Sequence, residues 1–101
     1  MANMIKALKA LGDETRLKII KLLLIKRFCV GALARRLDIS ESAVSQQLKI
    51  LREAGLVLGE KEGYYVHYSV KKDKLKEVGA YIINLDANLW SIDNLKSPFL
   101  I

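Results

Sequence analysis

The stretch VGALARRLDISESAVSQQLKILREAG, residues 30–55, decides the fold of this 101-residue chain. Its apolar residues recur at helical spacing over residues 30–37 and again over residues 41–54. Ser40 is a good N-cap for the second helix, and Gly55 is a good residue to end it. Two helices joined by a three-residue turn cross at a wide angle, so this stretch predicts a helix-turn-helix unit.

Two helices are predicted before this unit, over residues 3–11 and residues 13–26, the second capped by Asp13. The apolar face expected of the second helix is Leu17, Ile20, Leu23 and Leu24. The inward face expected of helix 41–54 is Ala43, Val44, Leu48, Leu51 and Ile50.

After Gly55 the apolar period changes from 3.6 to 2, which predicts a two-stranded wing over residues 56–70 with a turn at Glu62-Gly63. A last helix is predicted over residues 72–89, and residues 90–101 form an apolar tail with no assigned conformation. The predicted order is four helices, two strands and a helix. The expected fold is therefore mainly α (α+β): one winged helix-turn-helix domain over residues 1–89, with its helix-turn-helix at 30–54.

Composition and charge restrict the class of protein. Hydrophobic residues make up 51% of the chain, which is high for so small a domain and predicts an interface with another chain. The net charge of +6 falls entirely in residues 1–54, which hold 11 Lys and Arg against 5 Asp and Glu. Such a balance permits nucleic acid or an anionic membrane as partner.

Several classes are excluded or disfavoured. A single cysteine excludes a disulfide framework and a multi-cysteine zinc site. The longest apolar stretch, Ile19 to Ile25, is far too short to span a membrane, and the N-terminus lacks the apolar core of a signal peptide. A cytoplasmic protein without a membrane partner is expected. An enzyme is the least favoured class, because no nucleophile–base pair, carboxylate dyad or glycine-rich phosphate loop occurs.

The outer face of helix 41–54 is small and polar, as a helix in the DNA major groove must be. Ser42, Ser45 and Gln46 can bond base edges or phosphates. Lys49, Arg35 and Arg36 are placed to neutralise phosphates, and the wing can reach DNA through Lys61 and its neighbours.

These residues resemble the ArsR/SmtB family of winged-helix repressors. The resemblance runs from about Leu11 to Val70 and rests on three motifs: Asp13-x-Thr15-Arg16-Leu17, the helix Ser40-x-Ser42-x-Val44-Ser45-x-x-Leu48-Lys49-x-Leu51-Arg52, and Ala54-Gly55-Leu56-Val57. It implies operator binding, with repression relieved by an effector. It also implies a homodimer built from helices 3–11 and 72–89.

The resemblance, together with the polar outer face of helix 41–54, predicts two sets of site residues. The expected dimer contacts are Met4, Leu8, Val78, Ile82 and Leu85. The expected contacts with double-stranded DNA are Arg35, Arg36, Ser40, Ser42, Ser45, Gln46, Gln47, Lys49, Lys61 and Tyr64.

The chain departs from the family where an effector would bind. Metal sensors of the family often carry two cysteines and an acidic residue in the run that here is Cys29-Val30-Gly31-Ala32-Leu33, which keeps only the first cysteine. Residues 72–89 hold no histidine. His67 is expected to be exposed on the wing and distant from Cys29. No metal site or other cofactor is therefore predicted.

Cys29 itself has two interpretations that the sequence leaves open. It is either a small buried hydrophobic residue or a redox switch whose reactive thiolate is favoured by Lys26 and Arg27. Two alternatives to a sequence-specific regulator also stay open. One is a chromosome-coating protein that binds any duplex by charge. The other is a protein-interaction module, mildly favoured by the locally acidic wing tip at residues 59–64.

Overall fold

The computed structural model describes the backbone of residues 1–92 and the side chains of residues 1–86. In chain order the elements are α1 (Ala2–Leu11), α2 (Glu14–Ile25), β1 (Phe28–Cys29), α3 (Val30–Leu37), α4 (Glu41–Glu53), β2 (Val57–Glu62), β3 (Tyr65–Val70) and α5 (Lys72–Ile92). The strands form an antiparallel sheet in the order β1-β3-β2. The mainly α winged helix-turn-helix predicted from the sequence is confirmed, with one additional strand.

The helix ends follow the local chemistry of the sequence. Asp13 accepts a hydrogen bond from the backbone N–H of Arg16 at 3.0 Å, and Ser40 Oγ accepts one from Ala43 at 3.0 Å. Each satisfies a donor that the first turn of a helix leaves free. Gly55 follows α4 with φ of +77°, a backbone conformation that glycine adopts without strain. The two caps fix where α2 and α4 begin, and Gly55 fixes where α4 ends.

The core lies between the helices and the inner side of the sheet. Its largest fully buried side chains are Ile19, Leu33, Val44, Leu48, Leu51, Leu56, Val57 and Val78. The apolar face predicted for α2 was wrong in part, since Leu17 and Leu24 are 44% and 42% exposed. Ile50 on α4 is exposed as well. Because α2 carries apolar residues around most of its circumference, packing against α4 and β3 selects its buried face.

Strand β1 is the element that the sequence did not indicate. Phe28 pairs with Tyr68 and Cys29 with His67, which attaches the end of α2 to the wing. Two residues are too few to show a strand period, and they lie directly between two helices. Phe28 is nevertheless buried, so β1 joins the wing to the core.

Helix α5 extends three residues into the predicted tail and ends at Ile92. The rest of the predicted tail, residues 93–101, lies outside the described residues. Of the apolar stripe predicted along this helix, Val78 is buried, whereas Ile82 and Leu85 are exposed. Within the described residues no helix combines the length and the apolarity that crossing a bilayer requires.

Candidate nucleic-acid interface

Helix α4 presents its polar residues to solvent. Ser42, Ser45, Gln46 and Lys49 are all exposed, as the sequence predicted for a face that enters a groove. Ser40 is exposed too, although its hydroxyl oxygen is already used as the helix cap. This face therefore combines the hydroxyls of two serines, the carboxamide of Gln46 and the ammonium of Lys49. These groups can donate hydrogen bonds to phosphates and to base edges.

Gln47 differs from its neighbours on α4, because it is half-buried and bound within the protein. Arg16 Nη1 donates to Gln47 Oε1 at 2.7 Å, and Arg16 Nε donates to the backbone oxygen of Ala10 at 2.6 Å. Arg16 thus joins the end of α1, the start of α2 and the middle of α4. The sequence alone marks Arg16 only as part of the motif Asp13-x-Thr15-Arg16-Leu17. Its partner lies 31 positions away, beyond any local pattern.

Arg35 and Arg36 are exposed on α3, as predicted, and Arg36 lies against the wing side of the molecule. Its guanidinium carbon is 5.1 Å from the centroid of the Phe28 ring, and Lys26 Nζ is 5.3 Å from the same centroid. Both distances are typical of cation–π contacts. These cations line an open cavity of about 610 Å³ between α3 and β3.

The wing exposes Lys61 and Tyr64, and Tyr64 is 98% exposed at the turn beside Gly63. The acidic residues that flank Lys61 are bound to one arginine. Arg27 Nη1 lies 3.3 Å from Glu60 Oε1, and Arg27 Nη2 lies 2.5 Å from Glu62 Oε2. The negative charge of the wing is therefore compensated within the protein, which the local sequence of residues 59–64 did not reveal.

Cys29 and His67 are neighbours, so the expectation that they lie far apart was wrong. They are opposite each other in the β1–β3 ladder, and both are half-buried. His67 Nδ1 is shielded from solvent 3.3 Å from Glu62 Oε1, a contact whose geometry does not meet that of a hydrogen bond. Among the residues that the structure describes, no group of three or more His, Cys, Asp or Glu side chains converges as metal ligands would.

The residues expected at a dimer contact divide into two groups. Met4 and Val78 are 9% and 2% exposed and belong to the core of the protomer. Leu8 is half-buried, whereas Ile82 and Leu85 are 51% and 47% exposed on α5. Ile5 and Ile83 on the same two helices are also exposed. Of these apolar residues on α1 and α5, the three most exposed lie on α5.

Sequence comparison places this architecture among known proteins. The model of the bacterial regulatory protein arsR family matches residues 13–58, from the cap of α2 to the start of β2. The transcriptional activator HlyU of Vibrio cholerae is 41% identical over 75 residues, which cover 74% of this chain and 69% of HlyU. The chain belongs to the arsR family of DNA-binding transcriptional regulators.

A further relative and two solved structures are also similar to this chain. The arsenical resistance operon repressor of Escherichia coli is 46% identical over 65 residues, 63% of this chain and 56% of the repressor. A structure of reduced HlyU from Vibrio cholerae matches with a TM-score of 0.68 and 42% identity over 83% of this chain and 85% of HlyU. A homodimeric winged helix-turn-helix DNA-binding domain from Mycobacterium bovis matches with a TM-score of 0.72 and 26% identity, covering 87% and 82% of the two chains.

Proposed function

We propose that this arsR-family chain is a homodimeric repressor that reads a roughly palindromic operator through α4. The observation that carries the proposal is the exposed face of Ser42, Ser45, Gln46 and Lys49 on a helix whose start is fixed by the Ser40 cap. Two such helices related by a two-fold axis enter successive major grooves about 34 Å apart. The repressor acts in the cytoplasm, by binding rather than by catalysis.

Phosphate contacts surround this reading face. Arg35 and Arg36 on α3 and Lys49 on α4 supply cations, while Lys61 and Tyr64 extend from the wing. Ser40 and Gln47 add uncharged contacts at the start and flank of α4. The charge supports this assignment, since all of the net +6 belongs to residues 1–54, which contain α1 to α4.

The decisive experiment selects binding sites from a random-sequence library of duplex DNA with the wild-type protein. Recovery of one roughly palindromic motif, bound far more tightly than bulk DNA at physiological salt, supports the proposal. Equal affinity for every duplex, with a steep salt dependence for all of them, would identify a chromosome-coating protein instead. Absence of duplex binding would leave a protein-interaction module.

The single cysteine supports a second proposal, about regulation. We propose that Cys29 is a thiol switch and that no metal ion is the effector of this repressor. Cys29 is half-buried rather than fully buried, and it lies opposite His67 in the β1–β3 ladder. With hydrogen peroxide as oxidant, the sulfur takes one oxygen to form a sulfenic acid, and the peroxide is reduced to water.

Operator binding by the reduced and the peroxide-treated protein tests this switch, with Cys29→Ser as the matched control. Affinity lost on oxidation and regained with a thiol reductant, in the wild type alone, supports it. Equal affinity in both redox states identifies Cys29 as a packing residue. Zinc added to either protein is expected to leave operator affinity unchanged.

A further inference from the structure

The carboxamide of Gln47 is held in one orientation by Arg16. A guanidinium carries only donors, so it can bind the oxygen of a carboxamide and not its amino group. The 2.7 Å contact from Arg16 Nη1 therefore commits Oε1 of Gln47 to the protein. The Nε2 amino group, with two N–H donors, is the end that Arg16 leaves free.

Arg16 is itself fixed before it meets Gln47. Its side chain is 15% exposed, and Nε donates to the backbone oxygen of Ala10 at 2.6 Å. Its backbone N–H is bound by the Asp13 cap at the start of α2. Because the guanidinium is anchored to the end of α1, it sets the position of Gln47 rather than following it.

Gln47 lies at the flank of the face that reads DNA. It is half-buried on the side of α4 towards Arg16, whereas Ser45, Gln46 and Lys49 are exposed. The flank of a helix in the major groove faces the backbone wall, where phosphate oxygens are acceptors. A bidentate contact with adenine requires both ends of a carboxamide. Gln46 has both ends exposed to a ligand, and Gln47 has only its donor.

We propose that Arg16 is a positioning residue that aims the amino group of Gln47 at a phosphate oxygen of the DNA backbone. Arg16 and Gln47 then act as one unit. Because Arg16 is anchored to the end of α1, it fixes the phosphate contact of Gln47, and this contact sets the position of α4 in the groove. Gln47 adds affinity without reading sequence, while Gln46 reads a base. This inference rests on the proposed operator binding and assigns a distinct role within it.

A double-mutant cycle on the duplex selected by the wild type tests this unit. Gln47→Ala is expected to weaken binding about fivefold, the value of one hydrogen bond. The loss should be equal for the selected duplex and for its single-base variants, and the salt slope should not change because Gln47 is neutral. Arg16→Met is expected to give the same loss, and the double variant no more than either single one.

Losses that add in the double variant would overturn the role of Arg16, since independent residues give additive effects. Unchanged affinity of Gln47→Ala would overturn the phosphate contact. Circular dichroism and thermal unfolding establish that each variant is folded. If the wild-type protein selects no sequence from the library, the proposed function itself is overturned. If it selects a sequence but the losses of the two single variants add in the double variant, only this inference is overturned.

Gln47→Glu keeps the proposal testable if Arg16→Met does not fold. The carboxylate still accepts the bond from Arg16, so the unfolding temperature should be kept, but the amino donor is replaced by a negatively charged oxygen. Operator affinity should then fall further than in Gln47→Ala. The control is Lys18→Gln, which makes the same change of net charge at an exposed position of α2. Equal affinity of these two variants would overturn the proposal.

Discussion

Arg27 binds Glu62 across the boundary between the helical body and the wing, with Nη2 2.5 Å from Glu62 Oε2. The same guanidinium lies 3.3 Å from Glu60, so one cation is paired with both carboxylates that flank Lys61. Exposed ion pairs of this kind add little to stability. Their larger effect is electrostatic, because uncompensated carboxylates on the wing would face the phosphates of bound DNA.

Arg27→Gln is therefore expected to weaken operator binding severalfold while changing the free energy of unfolding by less than about 1 kcal/mol. Without this cation, Glu60 and Glu62 have no charge partner on Arg27, and their negative charge repels the DNA backbone. Affinity measured by fluorescence anisotropy at several salt concentrations checks the first effect, and urea unfolding the second. The control is Lys18→Gln, which removes the cation of another exposed ion pair, that of Lys18 with Glu14 on α2 at 3.1 Å, and it should reduce affinity less.

Restoring the balance of charge on the wing should reverse the effect of Arg27→Gln. Glu62→Gln added to Arg27→Gln is expected to recover most of the lost affinity. A double variant that binds as weakly as Arg27→Gln alone would show that Arg27 acts by contacting DNA itself.

Gln46 should carry sequence information that its neighbour does not. Gln46→Ala is expected to cost about 1–3 kcal/mol of binding to the selected duplex, and to relax specificity at one base pair of each half-site. Titration against duplexes substituted at each position locates that base pair. Unchanged affinity and unchanged specificity would remove this face of α4 from base reading.

The local parts of this structure were predictable, because their signals lie within a few residues. The caps Asp13 and Ser40 placed the starts of α2 and α4, and the change of apolar period placed the wing. The long-range pairs were not predictable. Arg16 with Gln47, Arg27 with Glu62 and Cys29 with His67 join residues more than 30 positions apart, and only the packing of the elements brings them together.

The buried face of α2 and the strand β1 also depend on packing between elements, so local sequence did not predict them. Seven of the 12 residues of α2 are apolar, and this pattern is compatible with several orientations, so Leu17 and Leu24 were expected inside although they are exposed. Phe28 and Cys29 become a strand because Tyr68 and His67 offer an edge to pair with. Their own two-residue sequence specifies neither strand nor turn.

Ser40 and Ser42, which lie two positions apart at the start of α4, should separate stability from recognition. Ser40→Ala removes the cap bond to Ala43 and is expected to cost about 1 kcal/mol of unfolding free energy. Ser42→Ala, two residues later and exposed, should change stability by less than about 0.5 kcal/mol. Operator affinity should fall in Ser42→Ala despite its unchanged stability. Thermal unfolding and DNA titration of both variants decide this, and equal stability of the two would contradict the capping role.

The exposed apolar residues of α5 should hold the two protomers together. Ile82→Lys and Leu85→Lys each place a charge on the surface that we expect to be buried between protomers, and an unpaired charge in such a place opposes association. Sedimentation velocity should show a dimer for the wild type and a folded monomer for these variants, with operator affinity reduced in parallel. Ile25→Lys on α2 is the matched control, because Ile25 is 74% exposed on another helix and should leave the dimer intact. Variants at positions 82 and 85 that still sediment as dimers would place the contact between protomers elsewhere, whereas dissociation caused equally by Ile25→Lys would move that contact to α2.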